Sequence, residues 1–145
     1  MPESLDHESI LAHVAHLRRA VSALMMKGAP SADAIATSTE LLWFIAYGLQ
    51  TAIQNVIDIA MQVTVALSGD APEDYRSSIE ALGRLGVLDP VFARKIAPMA
   101  GLRNVLVHGY LELDARRLAD ALTKLDDLTV FADTIVRFLS AHLDV

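Results

Sequence analysis

The chain has 145 residues, no cysteine, 53% hydrophobic residues and a net charge of −6, with a pI near 5.2 and a mean hydropathy of +0.38. These values exclude disulfides and thiolate sites, and the charge has the wrong sign for a surface that wraps long nucleic acid through its phosphates. The length fits one domain, residues 1–145, with a full core, and the apolar excess points to a homodimer, because obligate interfaces resemble a core cut in half.

No stretch approaches the roughly 18 uninterrupted apolar residues of a membrane span. The best candidate, Leu41 to Leu49, is ended by Gln50. The N-terminal MPESLDHESI is polar and acidic, unlike a secretory signal or a transit peptide, so a cytoplasmic location is expected.

Every element reads as helix. A first helix runs from about Leu5 to Met26, with Ile10, Val14, Leu17, Val21 and Leu24 at steps of four and three, and stops at Gly28 and Pro30. A second, capped by Ser31 or Asp33, runs to about Leu67 with its apolar stripe from Leu42 to Leu67. Thr37-Ser38-Thr39 is its weak point. Beside that stripe Gln50, Gln54, Asp58 and Gln62 recur every four residues. They form either a solvated face or a support for a site, with Gln54 or Asp58 as the supporting residue.

A short third helix is expected to start at Asp70-Ala71-Pro72-Glu73, with Pro72 in its first turn, and to end at Gly86. Asp89-Pro90 opens a fourth. Pro98 interrupts it, since proline lacks the amide donor and clashes with the preceding turn. The segment beyond carries Arg103 to His108 and ends at Gly109. After the connector Leu111-Glu112-Leu113, Asp114 caps a last helix that turns Leu118, Leu122, Leu125, Leu128, Phe131, Ile135 and Phe138 inward. The expected fold is all-α: an antiparallel bundle of about five helices, with a long second and a proline-kinked fourth.

One stretch, GLRNVLVHGY from Gly101 to Tyr110, concentrates polar chemistry. An Arg followed five residues later by a His is weak as a bare pattern: nine Arg and five His in 145 residues give roughly 0.3 chance matches. Arg137 and His142 also fit it, and there a solvated helix face suffices. The first match adds Asn104 after the Arg, Gly109 and Tyr110 after the His, and a proline-kinked lead-in.

With those additions the pattern resembles the HEPN superfamily, in particular the HepT-like toxins of HEPN–MNT toxin–antitoxin pairs. Their signature is Arg, four residues, His, any residue, Tyr. LQTAIQNVIDIA (Leu49 to Ala60) resembles the family's second helix, and the stretch from Leu111 to Leu139 its last. The resemblance implies a metal-independent RNA endonuclease that uses the RNA's own 2′-hydroxyl, with Arg103 and His108 as catalytic residues and no cofactor. It also implies an MNT-type nucleotidyltransferase antitoxin as partner, which silences the toxin by adding AMP to Tyr110.

The residue types suit that chemistry. Histidine accepts and donates protons near neutrality, and the guanidinium fork matches a phosphate's oxygens and keeps its charge. Five residues is about 140° around a helix. Arg103 and His108 therefore converge either on a phosphate in a groove or across a dimer axis. Asn104 shares the face of His108 and is expected to orient its imidazole, while the end of the helix favours a protonated ring. Two other readings fit the same residues: a catalytically silent HEPN module that binds a nucleotide or a nucleotidyltransferase, and a plain dimeric bundle with a structural Arg and His.

Overall fold

In a computed structural model, residues 4–108 and 114–142 are described, the side chain of residue 108 excepted. Among them are eight helices and no strand: α1 (His7–Met25), α2 (Ala32–Thr37), α3 (Thr39–Ser68), α4 (Tyr75–Arg84), α5 (Pro90–Ile96), α6 (Met99–His108), α7 (Ala115–Leu122) and α8 (Leu125–Ala141). The all-α bundle is as expected. Two of the expected helices are divided, and a third starts later than its sequence suggests.

The long second helix breaks at Ser38. Its hydroxyl oxygen accepts from the Leu41 amide at 3.1 Å, and its backbone is extended (φ −126°, ψ 105°). Ser38 ends α2 and caps α3 at once. Serine and threonine offer the backbone local partners that compete with helix continuation, and three in a row tip the balance. The last helix divides at Thr123-Lys124, where no glycine or proline marks the break. The turn is made by Thr123 Oγ1, which donates to the Asp120 carbonyl at 2.6 Å. It lets α7 pack on α2 while α8 packs on α1. The third helix starts at Tyr75, past Pro72, because Asp74 takes the cap: its carboxylate accepts from the Ser77 amide at 2.7 Å. That bond, joined by one from the Ser77 hydroxyl, holds the Asp74 carboxyl below the ordinary carboxylate value. The break at Pro98 falls as expected, between α5 and α6.

The 30-residue α3 is the axis of the fold, about 45 Å long. It contacts all the other helices named except α5 in the principal packing. Its burial is correspondingly wide. Ile45, Ala52, Ile57 and Ile59 are fully buried in addition to the stripe through Leu49, Ile53, Val56, Ala60 and Val63. A helix apolar on more than one face belongs in the centre of a domain. Gly48 admits α1: a Cβ there would lie 2.6 Å from Leu24 Cδ2. Phe131 of α8, completely buried, closes the core. Truncating such a ring costs about 3–5 kcal/mol.

The apolar excess also shows at the surface, where Trp43 and Tyr47, one turn apart on α3, are 67% and 71% exposed. Among the described residues no helix is long and apolar enough to cross a membrane.

Candidate active site

The break at Pro98 turns α6 onto α3, and this brings Arg103 over the polar stripe of the central helix. Arg103 is half-buried. Its Nε–H donates to Gln54 Oε1 at 2.8 Å, and its Nη1 donates to Asn104 Oδ1 at 3.3 Å. Its Cζ lies 5.4 Å from the centre of the Tyr75 ring, within cation–π range. The three groups that fix the guanidinium are uncharged. Arg103 forms no ion pair among the described residues, so its positive charge is positioned without being cancelled.

The amide of Gln54 has one consistent orientation. Its oxygen faces a guanidinium, which only donates, and its nitrogen donates to Asp58 Oδ1 at 2.9 Å, which only accepts when ionised. Gln54 is thus a neutral spacer between a cation and an anion. Asp58 in turn lies 3.9 Å, through Oδ2, from His13 Nδ1. Asn55 donates its amide N–H to the Thr51 carbonyl at 2.8 Å, so its oxygen faces His13 Nδ1, also at 2.8 Å. Two acceptor oxygens before Nδ1 put the proton on that nitrogen. Further along, Gln62 Nε2 donates to Ser9 Oγ at 3.1 Å.

The stripe is therefore a half-buried seam between helices, and the solvated-face alternative is set aside. Arg103, Gln54 and Asp58 come together as one hydrogen-bonded chain. Asn104 belongs to it through Arg103, a partner its spacing did not suggest. Its expected contact with the His108 imidazole, and Gly109 and Tyr110, lie outside the described residues. His108 is the last residue of α6, five positions beyond Arg103 on one continuous helix.

His13 was not singled out by sequence. A signal existed: Asn55 stands between apolar Ile53 and Val56 on a helix buried on several faces, and a buried amide demands partners. Nothing in the sequence pairs it with residue 13 across 42 positions. Tyr75 gave no signal either.

The second Arg–His pair forms no site. Arg137 Nη2 donates to Thr134 Oγ1 at 3.3 Å. The His142 ring stacks on Phe138 with centroids 4.1 Å apart, and its Nδ1–H donates to the Phe138 carbonyl at 2.9 Å. All are exposed contacts within one helix and its cap.

Comparison with known proteins bears on the family and the fold. A relative from Archaeoglobus fulgidus is 38% identical over 68 residues, 47% of this chain and 51% of that one. The tRNA nuclease HepT of Aphanizomenon flos-aquae is 38% identical over 76 residues, 52% of this chain and 51% of that one. The chain thus spans about half the length of these two curated relatives. Among solved structures, a tri-AMPylated HEPN toxin of Shewanella oneidensis in complex with an MNT antitoxin shares the fold. Its TM-score is 0.78 at 22% identity, over 88% of this chain and 96% of that one. The family model described as ribonuclease HepT-like matches residues 10–135, most of the bundle and the whole Arg103–His108 segment, and the chain belongs to that family.

Proposed function

We propose that this chain is the toxin of a toxin–antitoxin pair, an RNA endonuclease that works without metal or cofactor. Arg103 takes the scissile phosphate, and His108 moves protons between the 2′-hydroxyl and the leaving 5′-oxygen. The observation that carries the reading is the treatment of Arg103. Its guanidinium is held by Gln54, Asn104 and Tyr75, all neutral, so it is pre-aimed without a bound counter-charge among the described residues. The other arginines are exposed, whereas Arg103 is half-buried and still pairs with no carboxylate among the described residues. Preorganised charge aimed at a phosphate is a main source of catalysis in such reactions. The relative named tRNA nuclease HepT supports RNA as the substrate.

Silencing follows the same chemistry. The phenolic oxygen of Tyr110, two residues beyond His108, accepts AMP from ATP in a reaction run by an MNT-type nucleotidyltransferase, the class of partner seen with the Shewanella oneidensis toxin. The adenylyl phosphate then competes with RNA for Arg103. The active form is a homodimer in the cytoplasm, and the exposed Trp43 and Tyr47 supply apolar surface for a second copy.

The test is cleavage of RNA in EDTA by the purified chain and its Ala variants. Arg103→Ala and His108→Ala should each lose about 10²–10⁴ in rate with helicity intact, while Arg137→Ala and His142→Ala behave like wild type. Undiminished cleavage by His108→Ala would remove the nuclease from this motif. Mixing the two inactive proteins asks whether the site is composite. Partial recovery after subunit exchange means that Arg103 of one chain serves His108 of the other.

A further inference from the structure

A groove of about 610 Å³ runs between the start of α4 and α6, and two of its lining residues, Tyr75 and Asn104, contact Arg103. Glu73, Tyr75 and Arg76 line one side, and Gly101 and Asn104 the other. Its volume is in the range of small-ligand sites. Tyr75, whose ring carries the Arg103 guanidinium, remains 36% exposed.

Gly101 is the second observation. Glycine weakens a helix interior, and here no neighbour excludes a side chain, since a Cβ would meet nothing within 4 Å. The absent side chain leaves room in the groove.

The charged groups at its mouth are not equivalent. Asp74 is engaged as the α4 cap by the Ser77 amide, and Arg76 pairs with Glu80 at 3.0 Å. Glu73 has no hydrogen bond or ion pair among the described residues and is exposed.

We propose that this groove is the subsite for the nucleobase next to the scissile phosphate, and that it prefers guanine to uracil. The proposal rests on the nuclease reading of Arg103. Unstacked RNA bases are recognised by stacking on aromatic rings and by hydrogen bonds to their edges, and Tyr75 offers the ring beside the phosphate-binding group. A carboxylate only accepts hydrogen bonds. Guanine presents two adjacent donors, N1–H and N2–H, that match the two oxygens of Glu73. Uracil presents one N–H flanked by carbonyl oxygens, which a carboxylate repels. Asn104, whose oxygen serves Arg103, keeps its amide N–H groups for acceptors such as guanine O6 and N7. The acidic mouth confines the phosphate to the Arg103 end.

The experiment has two arms. In the first, short oligoribonucleotides differing in one base are cleaved by the wild-type chain. A preference for guanine of roughly five- to hundredfold is expected in kcat/KM, the usual range for a paired hydrogen-bond contact. Glu73→Gln should erase most of that preference, lowering cleavage at guanine and raising it at uracil, whose carbonyl oxygens no longer face a carboxylate. Gly101→Leu, which fills the groove from a position with room for a side chain, should raise KM roughly tenfold or more by loss of base stacking. In the second arm, guanosine and uridine 3′-monophosphates are titrated into the non-cleaving His108→Ala chain by calorimetry, with and without Glu73→Gln.

Guanosine binding that depends on Glu73 supports the subsite even if the wild type cuts nothing, which would overturn only the nuclease reading. Cleavage with no base preference, or with a preference untouched by Glu73→Gln and Gly101→Leu, overturns the subsite and leaves the nuclease reading standing. A uniform loss at all bases in Glu73→Gln assigns the residue a structural role and also overturns the proposal.

Discussion

Replacing Gln54 by Glu changes one atom type and reverses the logic of the Arg103 anchor. The side chain keeps its length, and an oxygen stays 2.8 Å from Arg103 Nε, now carrying negative charge. A phosphate bound at the far edge of the guanidinium would stand roughly 7 Å from that carboxylate. At an effective dielectric near 20 the repulsion is about 2 kcal/mol, or roughly thirtyfold in kcat/KM, and salt reduces it. The same substitution turns the Gln54–Asp58 hydrogen bond, 2.9 Å long, into two facing carboxylates. Such a pair raises one carboxyl pKa, so acidification should return part of the lost activity to Gln54→Glu relative to wild type. Adding Asp58→Asn restores a donor to residue 54 and should recover stability without recovering activity. The assay is steady-state cleavage of a short RNA in EDTA across pH, with circular dichroism to confirm folding. Folded Gln54→Glu that cleaves at the wild-type rate would show that the neutrality of this anchor is irrelevant and that Arg103 is not a pre-aimed phosphate ligand.

Ser38→Ala removes the shared cap of α2 and α3 and should cost about 1 kcal/mol, roughly 3 °C in Tm for a chain of this size, measured by thermal unfolding; an unchanged Tm would mean the break is held by packing alone. The Asp74 carboxyl has a folded pKa below its ordinary 3.8, so its contribution to stability is present above that value and is lost as pH falls through the lower folded one. Asp74→Asn should therefore flatten the acid limb of a stability–pH profile near and below pH 3.8, and a limb as steep as wild type would contradict the cap's part in it. Tyr110→Phe should still cleave RNA and should gain no AMP by intact mass after incubation with a cognate nucleotidyltransferase, ATP and magnesium; modification persisting on the Phe variant, or appearing at Tyr47 or Tyr75, would reassign the acceptor.

What the sequence conveyed divides by the range of the forces involved. Glycine, proline and cap residues act within a few positions, so the stops at Gly28 and Gly86 and the break at Pro98 could be read directly. The weak point at Thr37-Ser38-Thr39 was visible as well, although whether it bends or breaks the helix depends on one hydroxyl finding the Leu41 amide. The division of the last helix was not visible. Leu118, Leu122, Leu125 and Leu128 keep helical spacing across it, and it forms because α7 and α8 face different neighbours. At the site, Arg103 and the four-residue period of Gln54 and Asp58 stood out as chemistry. Their joining did not, because a hydrogen bond over 49 positions leaves no trace in spacing. A polar stripe also looks the same whether water or another helix covers it. Tyr75 is part of that long-range geometry and opens a helix as an ordinary residue would.

The seam has a consequence for how α1 finds its place. Apolar side chains on antiparallel helices can trade partners after a slide of one turn, about 5.4 Å, at modest cost. Ser9 with Gln62, His13 with Asn55, and Leu24 with Gly48 act as three pins along the same pair of helices. The first two are chemical matches, and the third is a knob in the gap that Gly48 leaves. After a one-turn slip, Asn55 would lose its imidazole and Leu24 would meet the next turn of α3. The register of the first helix is thus keyed to Asn55, which directly follows Gln54 of the Gln54–Asp58 pair that carries Arg103. A slipped chain could keep its helices and most of its oil, yet it would present the phosphate-binding arginine on a different footing.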